Sequence, residues 1–434
     1  MNDVKRKPLR LGVAGLGTVG VGVVNIVESA ASMLSARAGQ DIVISAVSAR
    51  DRGRDRGVDL SGYGWHDNAV DLAGDENVDL VVELMGGSDG PAYALAKACL
   101  AAGKPFVTAN KALIATHGKE LADLAEANKA ALRFEAAVAG GIPVVKALIE
   151  GLTANKINEL YGILNGTCNY ILTRMEREKL AFDDVLAEAQ KIGYAEADPT
   201  FDIDGIDTAH KTAILAAIAF GIAPDLDNLP IEGIRNIAPV DIEYASELGY
   251  RIKLLGVARQ TDDGVEVRVH PAMVPLSSPL ASVMDATNAV LITGDRVGQT
   301  GYEGPGAGQG PTASSVIADV VDVARGICYP PLGVSAKSLK KLPYLSSDSH
   351  VGTYYIRLRV KDVPGVMAEI TGSLASETVS IENMLQRGHA NGGGVYIVLT
   401  THETTEQSAI AALNHFNALD CVLESAAMLR IETA

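Results

Sequence analysis

The chain is poor in features that mark several whole classes of protein. Among its 434 residues are four cysteines, Cys99, Cys168, Cys328 and Cys421. They are far apart and no pair has the spacing of a metal site. Reduced thiols in a cytoplasmic protein are expected rather than a disulfide framework. Basic residues are in deficit, with 37 Lys and Arg against 53 Asp and Glu, a net charge of -16 and a pI near 5.0. That balance argues against a nucleic-acid or anionic-membrane surface and leaves room only for a local basic pocket that takes a phosphate. Long apolar runs are missing too. No segment is long enough to span a bilayer, and the first residues, MNDVKRKP, lack the apolar core of a signal peptide. What remains is an ordinary globular composition, 47% hydrophobic and 21% charged, with length for two or three domains.

The stretch richest in chemistry is 193–211, GYAEADPTFDIDGIDTAHK, which holds Glu196, Asp198, Asp202, Asp204 and Asp207 and ends on Lys211. Asp204 is the expected N-cap of a helix over 206–220, apolar nearly all round and closed by Gly221. Asp207 and Lys211 are four apart and share one face of it. A lysine on the first turns of a buried helix is partly desolvated, which lowers its pKa from about 10.4, while a neighbouring carboxylate pulls the other way. Such a group suits proton transfer to a developing alkoxide. The acids do not follow the alternate spacing of an EF-hand loop. On residue types alone, a solvated acidic turn and a substrate or catalytic site stay equally open.

Earlier in the chain, an apolar strand over 9–14 runs into Gly15-Leu16-Gly17-Thr18-Val19-Gly20 and then a helical pattern. That is GxGxxG after a strand and opening a helix, where glycines allow a tight turn and close approach to a pyrophosphate. Further strands are expected over 42–47, 80–84, 105–108 and 133–138, with helices between them such as 93–102 and 119–127. The alternation predicts a doubly wound parallel sheet. The second strand ends Ser48-Ala49-Arg50 rather than on an acid, which favours a 2′-phosphate and hence NADP. Arg50 as a plain solvated loop residue, and acceptance of NAD, are the alternatives. Lys111 follows the fourth strand, where ligands of such sheets bind. In FEAAVAGGIP, from Phe134 to Pro143, small residues leave carbonyls accessible to a monovalent cation, with packing an equally good account.

Beyond this domain, 156–164 reads as a strand, NGTCNY as a turn into a helix, and 183–191 as an amphipathic helix ahead of the acidic stretch. Taken together, GLGTVG, TANK, FEAAVAGGIP, GILNGTCNYIL, the acidic stretch and GPGAGQGPTA occur in the order of the homoserine dehydrogenases, which the chain closely resembles over nearly its whole length. The resemblance implies NAD(P)-dependent interconversion of L-homoserine and L-aspartate 4-semialdehyde, in threonine, methionine and isoleucine biosynthesis. It implies Lys211 as general acid–base and Lys111 as the second active-site lysine. It implies that Glu196 and Asp207 hold the substrate's ammonium and that Gly308 and the Thr18-Val19 turn contact the cofactor. It further implies a sodium site at Glu135, Val138, Gly140 and Ile142. The chemistry agrees, since a lysine ammonium neutralises the oxygen charge left by hydride transfer and no nucleophile is needed. That separates this reading from aspartate-semialdehyde dehydrogenase, which uses a catalytic cysteine. Cys168 receives no role.

Strands are expected over 251–259, 265–270 and 288–292, in an open sheet carrying dimer contacts. The glycine-rich 301–310 is expected to be irregular, and a helix from Pro311 to return to the nucleotide domain. From 354 onward the order is βαββαβ with a DVPGV turn, which resembles an ACT domain. That implies amino-acid binding at an interface, here L-threonine as feedback inhibitor near Asp362, Gly365 and Asn383, with a ligand-free dimerisation module as the alternative. His389, beside the glycine turn 391–393, reads as a surface residue.

The expected organisation is an α/β chain in three parts: a Rossmann-type domain at 1–134 completed by helix 311–330, an α+β catalytic and dimerisation domain at 135–310, and, after a linker at 337–349, an ACT domain at 350–434. A homo-oligomer, dimer or tetramer, is expected. The competing functions are a non-catalytic amino-acid sensor and an oxidoreductase for another amino aldehyde.

Overall fold

The computed structural model describes residues 6–387 and 394–433; His389 and the 391–393 turn lie outside them. The chain opens on a parallel sheet of six strands, β1 (Leu9–Ala14), β2 (Ile42–Ser48), β3 (Gly64–His66), β4 (Leu80–Glu83), β5 (Phe106–Thr108) and β6 (Leu132–Arg133), in the order β3-β2-β1-β4-β5-β6. Its central strands are apolar on both faces because helices cover both. The helices are α1 (Thr18–Ser29), α2 (Ala31–Ala38), α3 (Pro91–Ala101) and α4 (Lys111–Ala127). The order reverses between β1 and β4, which opens the crevice where such sheets bind ligands. The doubly wound sheet is the one expected. The three-residue β3 and the helix α2 are not, being too short to carry a periodic signal. The last strand is shorter than expected, for after Arg133 the chain turns into a 3₁₀ segment, Glu135–Ala137.

A second sheet begins at β7 (Ile157–Ile163) after the short α5 (Val144–Lys146). Four helices follow, α6 (Gly166–Glu178), α7 (Phe182–Lys191), α8 (Thr200–Ile203) and α9 (Ile206–Phe220), then α10 (Pro239–Glu247). The strands β8 (Tyr250–Gln260) and β9 (Val265–Pro275), the turn α11 (Pro279–Ser282), and strands β10 (Thr287–Gly294) and β11 (Gly298–Pro305) complete it. Helix α9 is the buried one, with Ala213, Ile214, Leu215, Ala216 and Ala217 fully inaccessible. It lies so close to β8 that a Cβ on Gly256 would sit 2.0 Å from the Thr212 hydroxyl. Two expectations need correcting. Asp204 is not the cap of α9: Gly205, at φ 87°, occupies that position and the Asp204 carboxylate pairs with Arg235. Residues 298–305 are a strand despite their glycines, because they form the sheet edge and need pair only with β10.

Helix α12 (Gln309–Ala324) returns to the first domain and packs on α1, where a Cβ on Gly22 would sit 2.8 Å from Gln309. Residues 337–349 carry short 3₁₀ turns at Ala336–Ser338 and Ser347–Ser349, and Pro343 accepts a backbone hydrogen bond from Val265 at 2.9 Å. The final region is β12 (Val351–Val360), α13 (Val366–Ser376), β13 (Ile381–Arg387), β14 (Val395–Thr401), the two-residue β15 (Thr404–Thr405), α14 (Glu406–Asn417) and β16 (Ala427–Ile431). The order β16-β12-β14-β13 gives the expected βαββαβ sheet, its last strand starting at Ala427. Less expected is that β16 pairs in parallel with β9, so this sheet continues the second one edge to edge.

Candidate active site

The site forms where the N-terminus of α9 meets the carboxyl ends of β4 and β5. Asp207 is 3% exposed and its two carboxylate oxygens are divided between two lysines. The Lys111 ammonium lies 2.7 Å from one oxygen, and the Lys211 ammonium donates to the other at 2.7 Å. Lys211 also donates to the Leu164 carbonyl at 2.7 Å. An ammonium has three N–H donors, so these two bonds leave Lys211 one N–H for another partner. Burial drives the Lys211 pKa below its ordinary value, and the Lys111 charge adds to that against the pull of Asp207. Burial works against the Asp207 carboxylate, but the Lys211 and Lys111 charges hold it well below the usual carboxylate range. The arrangement is one buried anion holding two cations at the mouth of a crevice.

Why these side chains meet is local. Asn165 caps α6 through the Cys168 N–H at 2.8 Å, and its amide donates to Asp202 at 2.8 Å and to Asp207 at 2.9 Å. It thereby ties the end of β7 to α8 and α9. Lys111 is the first residue of α4, which Asn110 caps through the Leu113 N–H at 3.1 Å. Asn110 in turn donates to the Gly87 carbonyl at 2.7 Å, and Thr108 donates to the buried Glu83 at 2.6 Å. Glu83 also accepts from the Met85 and Gly86 N–H groups, and burial raises its pKa. Phe201 on α8 covers the Lys111 ammonium at 5.3 Å from its ring centroid. Asn165, Asp202, Glu83 and Phe201 all stand inside motifs visible in the sequence. Only a three-dimensional contact reveals what they touch.

A cleft of about 280 Å³ joins this cluster to the nucleotide turn, lined by Val19, Met85, Lys111, Ala137, Lys211 and Thr312 among others. The glycines of the turn fit a dinucleotide. Gly15 has φ 99° and a Cβ there would lie 2.6 Å from the Leu84 carbonyl oxygen; a Cβ on Gly20 would lie 2.1 Å from that of Gly15. Gly17, by contrast, caps α1 and faces open space. Gly308, at φ 123°, caps α12 across the crevice. A second pocket against Leu16, Gly17 and Thr18 is lined by Arg54 and Arg56, and Arg56 donates to the Leu16 carbonyl at 3.2 Å. Arg50 is exposed at the end of β2 and does not line that pocket. The run R-D-R-G-R-D-R from Arg50 to Arg56 was the available signal.

The other expected positions are more scattered. Glu196 is exposed on the loop between α7 and α8, with its backbone carbonyl accepting from Gln190 at 3.0 Å; it does not join the lysine cluster. The Glu135 carboxylate is buried and accepts from the Val145 and Lys146 N–H groups, and its carbonyl accepts from the Val138 N–H at 3.3 Å. Ala139 and Gly140 have successive positive φ values, 54° and 50°, which turn the loop sharply, and the Gly140 carbonyl accepts from Ser315 at 2.6 Å. Among the described residues no group of three His, Cys, Asp or Glu is placed to hold a metal. Gly365, at φ 98°, caps α13, and Asp362 precedes it in the exposed turn after β12. Asn383 stands on β13 with β14 between them, its amide donating to Thr400 at 3.2 Å. Cys168 is fully buried with its thiol pushed well up by burial, consistent with no chemical role.

A Rossmann-type sheet with a glycine turn, opening on buried Asp207 and Lys211 beside the half-buried Lys111, defines the class: a nicotinamide-dependent oxidoreductase acting on a CH–OH group. Comparison with known proteins narrows this. Family models match residues 15–135 as the NAD binding domain of homoserine dehydrogenase, 143–321 as homoserine dehydrogenase and 354–420 as an ACT domain. The homoserine dehydrogenase of Pseudomonas aeruginosa is 45% identical over 433 residues, 98% of this chain and 99% of its own. The crystal structure of a homoserine dehydrogenase from Thiobacillus denitrificans superposes with a TM-score of 0.93 at 45% identity, covering 99% of both chains. A hyperthermophilic archaeal homoserine dehydrogenase in complex with NADPH matches at a TM-score of 0.65 and 25% identity, covering 74% of this chain and 99% of its own. The chain belongs to the homoserine dehydrogenase family, and it carries an ACT domain. Among the described residues no single helix is long and apolar enough to cross a membrane.

Proposed function

We propose that the protein interconverts L-homoserine and L-aspartate 4-semialdehyde with NADP as the preferred cofactor. The observation that carries this reading is the Lys111–Asp207–Lys211 cluster at the mouth of the nucleotide crevice. The cofactor, held by the turn from Gly15 to Gly20 and by Gly308, supplies or removes the hydride at the substrate's C4. In the oxidative direction the neutral Lys211 amine takes the hydroxyl proton; in the reductive direction its ammonium returns it to the oxygen. Lys111, on the other oxygen of Asp207, adds positive charge where the substrate oxygen becomes negative. Asp207 and Glu196 are the carboxylates for the substrate's α-ammonium, Glu196 from the loop that precedes α8. Asp207 also keeps two cations within reach of one small site.

Three finer assignments belong to the same reading. Arg50, with Arg54 and Arg56 behind it, favours a 2′-phosphate. The turn at Ala139 and Gly140 suits a sodium ion held by the carbonyls of Glu135, Val138, Gly140 and Ile142. The ACT domain, through Asp362, Gly365 and Asn383 at an interface between protomers of a cytoplasmic homo-oligomer, suits L-threonine as feedback inhibitor.

The test follows NADPH absorbance with L-aspartate 4-semialdehyde, with NADH in parallel and with L-threonine added. Rapid oxidation, faster with NADPH and slowed by threonine, is expected. Lys211→Ala should lower kcat by at least about a hundredfold, the order of one general acid–base group, with the Kd for NADPH unchanged. An equal loss of cofactor binding would overturn its role.

A further inference from the structure

The segment Pro230 to Arg235 touches three parts of the molecule at once. Its backbone lies along β9: Glu232 donates to the Val269 carbonyl at 2.8 Å, and Val269 donates back to the Pro230 carbonyl at 2.9 Å. Its far side lies on α8. Ile234 donates to the Ile203 carbonyl at 2.9 Å, and a Cβ on Gly233 would fall 2.1 Å from that same oxygen and 2.4 Å from the Asp204 Cα. Only glycine permits so close a backbone approach. Arg235 then pairs with Asp204 and donates to the Thr200 hydroxyl at 3.2 Å, gripping both ends of α8. The third contact is with the C-terminal sheet. Arg430 of β16 donates to the Glu232 carboxylate at 2.9 Å while also pairing with Glu406 at the start of α14.

Helix α8 is the element that this segment holds, and α8 faces the site. It carries Asp202, linked through Asn165 to Asp207, and Phe201, which covers the Lys111 ammonium. We infer that 230–235 is a coupling strap, with Arg235 as a positioning residue, through which the ACT domain sets the placement of α8 and so the affinity for the amino-acid substrate. The inference rests on the proposed substrate and adds to it a physical route from the regulatory domain. The strap touches no part of the nucleotide turn. Its effect should therefore fall on homoserine more than on the cofactor.

Three variants of the full chain test it. Arg235→Gln removes a charge-assisted pair and should raise the KM for homoserine about tenfold, with kcat and the KM for NADP within about twofold. Arg235→Lys, which keeps the charge, should recover part of that loss. Glu232→Gln cuts the half-exposed link to Arg430 and should raise the same KM about two- to fivefold. Hydrogen–deuterium exchange over 198–205 supplies a readout independent of turnover, and should quicken in Arg235→Gln and Glu232→Gln. Both KM values rising together in Arg235→Gln, or a lowered Tm with the homoserine KM unmoved, would overturn the strap. Unchanged exchange over 198–205 would do so even for a protein inactive on homoserine, a result that by itself would sink only the substrate reading.

Discussion

At the scale of single residues, the proposed reaction turns on where Lys211 keeps its proton. Lys211 is buried, and burial with the Lys111 charge lowers its pKa from the ordinary lysine value although Asp207 opposes them. A general base must be neutral, so homoserine oxidation should rise with pH through the Lys211 pKa and level off above it. A general acid must be charged, so reduction of the aldehyde should fall across the same window. The midpoint should lie below the roughly 10.4 of a free lysine, and pH profiles of kcat in both directions locate it. A flat profile between pH 7 and 10, on protein that stays folded, would remove Lys211 from proton transfer. This pair was legible in the sequence as an i, i+4 acid and base on one face of an apolar helix, while its catalytic role came only with the family resemblance. The network around it was not. Asn165 reads as a helix cap, and nothing in its neighbours says that its amide reaches across to Asp202 and Asp207, 37 and 42 residues away. Glu196 stands within the same acidic stretch, yet the chain carries it onto the α7–α8 loop, because residues 193–199 pass over the N-terminus of α6 before α8 begins.

At the scale of elements, α9 is placed by what it rests on. Thr212 follows Lys211 directly, and its hydroxyl occupies the space that any side chain on Gly256 of β8 would need. Gly256→Ala should therefore push α9 away from the sheet and carry Lys211 with it. Overpacking of this kind costs about 1–3 kcal/mol, and a shift near 1 Å at a reacting group costs up to about a hundredfold in rate. The expected result is a lower Tm, read by calorimetry, together with a kcat reduced well beyond any change in cofactor KM. Retained kcat with a lowered Tm would mean that the sheet, rather than the helix, gives way. Such contacts explain what sequence periodicity misses. Apolar runs located most strands and helices because burial sets those patterns. Gly256 in β8 and the glycines of β11 are instead set by close approach and by edge position, which leave no periodic trace.

At the scale of the whole molecule, the ACT domain is less a tethered accessory than a continuation of the catalytic sheet, joined at β9 and β16. A second seam lies beside it. Asp241 on α10, 2% exposed, accepts from Arg357 of β12 at 2.6 Å and from the Tyr355 hydroxyl at 3.0 Å, and Arg357 extends to Glu424 at 2.7 Å. Removing one partner of a buried pair strands the other, at a cost of about 3–5 kcal/mol, whereas replacing both by apolar groups of similar size is close to neutral. Asp241→Ala should thus loosen the seam before it unfolds either side. The expected signs are a separate, earlier calorimetric transition and faster proteolysis within 337–349, both partly reversed in Asp241→Leu/Arg357→Met, which still leaves the buried Tyr355 hydroxyl without its acceptor. Because the seam is buried, the effect should persist at high salt, which would erase a surface pair. If the seam also carries the effector's influence, Asp241→Ala should blunt inhibition by threonine while uninhibited turnover stays near that of the unmodified enzyme. A single unshifted transition in Asp241→Ala would show instead that the β9–β16 pairing alone holds the two sheets together.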